Sequence, residues 1–174
     1  RKNNELVYER YNKKRNIDKN TILHGMSMSK TALSTAIGSL LCNGKIASLN
    51  DELGKYSPSL AKTPYAKISI KNTLQMNSGV EPVASDYKFR RKLNRIAQGM
   101  GKHEGKADVF KAISLLKGND REQGSQHFYN SSDPFALSIL ISEITNKPAS
   151  EIFYENAYKK FNKNNFMHWL SDKK

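Results

Sequence analysis

Apolar residues first recur with a helical period from Met28 onward: Met28, Leu33, Ala36, Ile37, Leu40 and Leu41 share one side of a 3.6-residue repeat, which predicts a helix over residues 28–42. Asn43-Gly44 then supplies a left-handed stop. A second helix is expected over residues 68–76, ended by Asn77-Ser78-Gly79, and a turn or short helix at residues 48–53, with Pro58 and Pro64 marking a looping segment. Asp133-Pro134 reads as a helix start, a capping carboxylate before a proline in the first turn, and Phe135, Leu137, Ile139, Leu140, Ile141 and Ile144 make the helix after it mostly buried. Asn146-Lys147-Pro148 breaks that helix before a last one over residues 149–161. Upstream, residues 5–11 are rich in strand-forming types, and a turn-prone stretch at 16–20 leads to a second extended segment at 21–24, the pattern of a hairpin feeding the first helix.

The 174 residues amount to about one domain, long enough to bury roughly 68–70% of the unfolded surface. No apolar run approaches the roughly 18 residues of a membrane span. Lys plus Arg number 29 against 16 Asp plus Glu, a net charge of +13, which favours phosphates and acidic surfaces. The lysines are spread through every segment, so the charge reads as compositional bias. No basic stripe, RNP-like aromatic motif or zinc spacing accompanies it, and nucleic acid is not expected as a partner. Residues 81–126 form a basic, insert-like region with helices expected over 87–98 and 106–117, separated by Gly99-Met100-Gly101. The basic amphipathic stretch 87–98 reads as a solvated helix face, and membrane contact is not expected. Cys42 stands alone, excludes an internal disulfide, and is expected to be a small core residue. His24, His103, His127 and His168 share no metal-ligand spacing, so no metal is expected, and no Gly-x-Ser-x-Gly elbow supports a Ser-His-Asp triad.

Chemistry concentrates in Ser27-Met28-Ser29-Lys30-Thr31, a serine at the start of a helix with a lysine three residues on. Residues three apart share a helix face, so the Lys30 amine can reach the Ser27 hydroxyl. A free serine is a weak nucleophile and needs a base beside it. Lys30 serves as that base only when neutral, which burial or neighbouring positive charge would favour. The N–H of Ser27, at the positive end of the helix, is a candidate oxyanion donor.

With this segment stand Asn43-Gly44-Lys45-Ile46, Leu49-Asn50-Asp51-Glu52-Leu53, Tyr56-Ser57-Pro58-Ser59-Leu60 and the run from Ile70 through Asn77-Ser78-Gly79-Val80. In that order, and continuing through Glu151-Ile152-Phe153-Tyr154-Glu155 to Trp169-Leu170-Ser171-Asp172, they resemble the serine-β-lactamase and penicillin-binding-protein superfamily, especially its esterase and amide-hydrolase branch. The resemblance implies a mixed α/β fold over residues 1–174, to which this chain contributes the N-terminal strands and most of the helical subdomain. It also implies that Phe128-Tyr129-Asn130-Ser131 is the second motif. Tyr129 would bridge Lys30 and the leaving group, and Ser131 would orient Lys30 and substrate. Ser27, Lys30 and Tyr129 should then converge in one cleft and transfer an acyl group from an ester, amide or β-lactam carbonyl of a small molecule, without a cofactor.

The chain departs from the pattern at Asn146-Lys147 and at Asn162, where the family has glycine, and asparagine tolerates the left-handed geometry needed there. The family's third motif, a Lys-Thr-Gly-like or His-x-Gly-like strand with the second oxyanion donor, lies beyond residue 172, so the closing strands of the sheet are expected to be missing. The resemblance implies a periplasmic or other extracytoplasmic setting. A non-catalytic homologue acting as a binding scaffold, and a basic binder of nucleic acid or anionic surfaces, are the alternative readings.

Overall fold

In a computed structural model, residues 3, 5–80, 87–119 and 121–161 are described. Helix α1 (Ser29–Cys42) follows a 3₁₀ turn at Met26–Met28. Then come α2 (Leu53–Tyr56), α3 (Ile70–Leu74), α4 (Tyr87–Ala97), α5 (Val109–Ser114), α6 (Ser132–Thr145) and α7 (Ala149–Phe153). A π-turn, Tyr154–Tyr158, carries α7 into α8 (Lys159–Phe161).

Helix α6 is the hub, packing against α1, α3 and α5, while α7 closes over α1 and α4 leans on α5. Ile37, Leu40, Leu53, Leu60, Ile70, Leu140 and Ile141 are at most 2% exposed, and each such side chain contributes roughly 1.5–3 kcal/mol by leaving water. The helices expected over 28–42 and 87–98 appear with ends shifted by at most one residue, those around α3 and α5 are shorter, the turn or short helix expected over 48–53 forms as α2 from Leu53 onward, and the last helix is divided by the π-turn. Their stops behave as read: Gly44 and Asn146 have φ of 70° and 55°.

Three expectations are corrected. The N-terminal hairpin forms no ladder among the described residues: Glu5 stands in an isolated bridge, and Glu52 pairs with Ser69 in another, antiparallel one. Leu6, Val7, Tyr8, Ile22 and Leu23 are 58–75% exposed. Strand-forming side chains stabilise a strand by packing on a sheet face, and two strands alone are marginal in water. The described residues are therefore mostly helical, as expected of the helical subdomain, without the expected N-terminal strands beside it. Cys42 is exposed, not core, because the buried stripe of α1 runs through Leu33, Ala36, Ile37 and Leu40 and Cys42, five residues past Ile37, points away from it. Asp133, read as a capping carboxylate, is fully buried one residue inside α6. The Asn130 side chain caps instead, accepting from the Asp133 N–H at 2.8 Å. The segment from Trp169 to Asp172 and Asn162 lie outside the described residues.

Candidate active site

Local geometry brings the first two groups together. The 3₁₀ turn at Met26–Met28 runs directly into α1, and Lys30 Nζ donates to Ser27 Oγ at 3.1 Å. Met26 is held at φ 46° and is 80% exposed. A side chain in the left-handed region costs about 1–2 kcal/mol, and strain of this kind gathers at functional sites. Sequence reasoning did not find it, since neither glycine nor asparagine marks the position.

The third group arrives from 102 residues away, with the Tyr129 phenol donating to Ser27 Oγ at 2.6 Å. Lys30 Nζ also lies 4.9 Å from the centre of the Tyr129 ring. Residues 121–130 reach this place by zipping onto the segment after α3. Phe128 N donates to Met76 O at 2.9 Å, Gly124 N to Asn77 O at 2.8 Å, and His127 Nδ1 meets Gln75 O at 2.9 Å. Gln123 Oε1 accepts from Ser69 N and from the Asn72 amide, both at 3.0 Å. The Arg90 and Arg121 guanidinium groups stand 5.0 and 4.8 Å from the Phe128 ring centre, a cation–π clamp on the residue before Tyr129.

Behind Tyr129, the buried Asp133 carboxylate gathers the Tyr65 hydroxyl at 2.7 Å, the Ser78 hydroxyl at 2.5 Å and the Asn130 amide at 3.0 Å. These groups come from the loop after α2, the turn after α3 and the residue next to Tyr129. The network thereby ties the start of α6 to both walls of the site. Ser78, Asn130 and Asp133 were legible as motif letters and Tyr65 was not, and nothing in their spacing announced that they meet.

Gly79 sits where the zipper closes, at φ 74°, and a Cβ there would lie 2.2 Å from Arg121 O. Gly79→Ala is expected to cost about 2–4 kcal/mol through left-handed strain plus overpacking. A lowered midpoint in urea unfolding measures it; an unchanged midpoint would contradict the packing described here.

The hydrogen bond with Ser27, then that with Lys30, hold the Tyr129 phenol below its ordinary value, because both partners stabilise the phenolate more than the phenol. Ser131 is half-buried at the N-cap position of α6, and its hydroxyl does not cap the helix. The side-chain hydroxyls that meet Lys30 are those of Ser27 and Tyr129. Ser27 and Tyr129 are exposed, Tyr129 by 55%. The three groups therefore converge at contact distance on an open surface, rather than deep in one cleft. A cleft of about 210 Å³ opens beside them, lined by Lys30, Thr31, Ser34, Leu74, Met76 and Pro134 among others. Lys30 belongs to both.

A helical body presenting a Ser-x-x-Lys turn against a tyrosine that is followed two residues later by serine, just before a buried helix, is the arrangement that the resemblance to serine β-lactamases implies. The family model described as beta-lactamase matches residues 1–171, and the chain belongs to that family, within the superfamily of serine β-lactamases and penicillin-binding proteins. It is 26% identical over 133 residues to the Escherichia coli (strain K12) protein named "Putative D-alanyl-D-alanine carboxypeptidase", a match covering 74% of this chain and 29% of that one. Among solved structures it is similar to a D-stereospecific amidohydrolase from Streptomyces sp., with a TM-score of 0.61 and 20% identity, covering 77% of this chain and 40% of that one. At that identity the likeness concerns the fold. The chain thus spans under a third of the curated relative and two fifths of the solved structure.

Proposed function

We propose that the chain carries the nucleophile half of a serine hydrolase that works through an acyl-enzyme. The observation supporting this most directly is the double contact at Ser27 Oγ, 3.1 Å from Lys30 Nζ and 2.6 Å from the Tyr129 hydroxyl. With Tyr129 as phenolate, favoured by its lowered pKa, the serine hydroxyl donates to it. As Oγ attacks the substrate carbonyl, its proton passes to the Tyr129 phenolate, or to Lys30 in the form in which that amine is neutral and Tyr129 keeps its proton, and a tetrahedral oxyanion forms. Collapse expels the leaving alcohol or amine, which takes that proton, and leaves Ser27 acylated. Water activated by the same pair then attacks the acyl carbon, releases the acid and restores Ser27. The Lys30 ammonium, beside both oxygens, offsets the negative charge that moves between them.

The substrate class proposed is a small molecule with an ester, amide or β-lactam carbonyl, and the names of the two relatives favour an amide. Ser131, close in sequence to Tyr129, is proposed to line the substrate path. An extracytoplasmic setting accompanies this reading. No helix among the described residues is long and apolar enough to cross a membrane.

A fluorophosphonate probe tests the assignment. The expected result is one adduct per chain, mapped to Ser27 by peptide mass spectrometry, and none on Ser27→Ala. Equal labelling of both chains would remove the catalytic role of Ser27.

A further inference from the structure

Four of the cations that look scattered along the sequence are aligned by α4. Lys88, Arg91, Lys92 and Arg95 stand at positions i, i+3, i+4 and i+7, so the helical pitch sets all four on one face. All four are exposed, while Leu93, Ile96 and Ala97 bury the other side of the helix. Lys102 and His103, from the 3₁₀ turn Gly101–His103, stand across from the stripe and complete a shallow groove of about 310 Å³. Its lining is those six side chains, without a carboxylate. Like charges three and four residues apart repel one another, and a concave surface of one sign focuses the field on an anion entering it.

We propose that this groove binds a linear polyanion of consecutive phosphate groups carrying no bases. The seven steps from Lys88 to Arg95 span about 10 Å of helix axis, room for several phosphates in a row rather than one. Sequence-tolerant binding of single-stranded nucleic acid relies on a row of aromatic platforms, and the groove lining has no Phe, Tyr or Trp, with the His103 ring as its one aromatic group. Binding in a membrane interface uses an apolar helix face, and that of α4 is spent on the protein core.

The experiment measures binding of fluorescently end-labelled inorganic polyphosphate to the full chain by anisotropy over a series of salt concentrations. Removing the stripe with K88Q/R91Q/K92Q/R95Q is expected to weaken binding about tenfold or more and to flatten the log–log salt dependence by about three, the loss of four phosphate contacts. A matched variant, K13Q/K14Q/K62Q/K67Q, loses the same charge from exposed positions elsewhere and is expected to bind nearly as the parent does. Circular dichroism checks that both are folded. If the stripe variant does not fold, K102Q/H103Q, on the opposite wall, is expected to weaken binding in its place. Equal weakening by the stripe and matched variants would assign the binding to net charge and overturn the proposal. So would tighter binding of a single-stranded DNA oligomer or of phosphatidylglycerol vesicles, or the absence of polyphosphate binding to the parent.

Discussion

Tyr129→Phe is expected to slow acylation of Ser27 by about 10²–10⁴-fold, the usual worth of a positioned proton-transfer group, while leaving the unfolding midpoint almost unchanged. The phenol is more than half exposed and its hydroxyl meets Ser27, so removing that oxygen leaves no buried group unsatisfied. Stopped-flow acylation by a chromogenic ester measures the loss. The pH profile separates a chemical role from a structural one. Because Ser27 and Lys30 lower the Tyr129 pKa, the phenolate forms at lower pH than an ordinary tyrosine's does. The parent's rate should therefore rise with pH and level off below the usual tyrosine range near 10, and Tyr129→Phe should lack that limb. A variant that kept the limb would leave Lys30 as the group that takes the serine proton.

For Asp133→Ala the expected loss is of fold, about 3–5 kcal/mol, from several buried donors left unsatisfied at about 1–3 kcal/mol each. Tyr65 is fully buried, Ser78 and Asn130 are at most 3% exposed, and all three donate to this carboxylate. Water cannot take its place without opening the core. Tyr65→Phe removes one donor together with its need for a partner and should cost only about 1 kcal/mol. Urea denaturation of the two variants gives the contrast. Similar losses for both would mean that the carboxylate is not the centre of the network. Because Asn130 adjoins Tyr129, the surviving folded fraction of Asp133→Ala should also acylate more slowly than the parent.

The parts of the molecule legible in the sequence are those governed by short-range rules. Helical periodicity placed α1, α4 and α6, and left-handed stops at Gly44 and Asn146 ended two helices where expected, since each depends on residues within a turn or two of one another. The contact between Ser27 and Lys30 belongs to the same class, because helix pitch alone sets residues three apart side by side. Strand expectations failed at residues 5–11 and 21–24 because a strand is stabilised by what lies beside it, and the local sequence does not carry its neighbour.

Taken by itself, the sequence determined the helices, their stops and the serine–lysine pair, all through spacing along one axis, whereas the cations of α4, read as unpatterned charge, show as a stripe once the helix and the groove beside it are in place. The tertiary structure alone decided that Tyr129 reaches Ser27, through backbone bonds from residues 121–130 to the segment after α3. It also decided that Asp133 turns inward, because the hydroxyl groups of Tyr65 and Ser78, 68 and 55 residues distant, offer its carboxylate more than the helix end does. Contacts between distant segments depend on how helices pack, and packing follows from the shape and burial of whole faces rather than from any short string of residues.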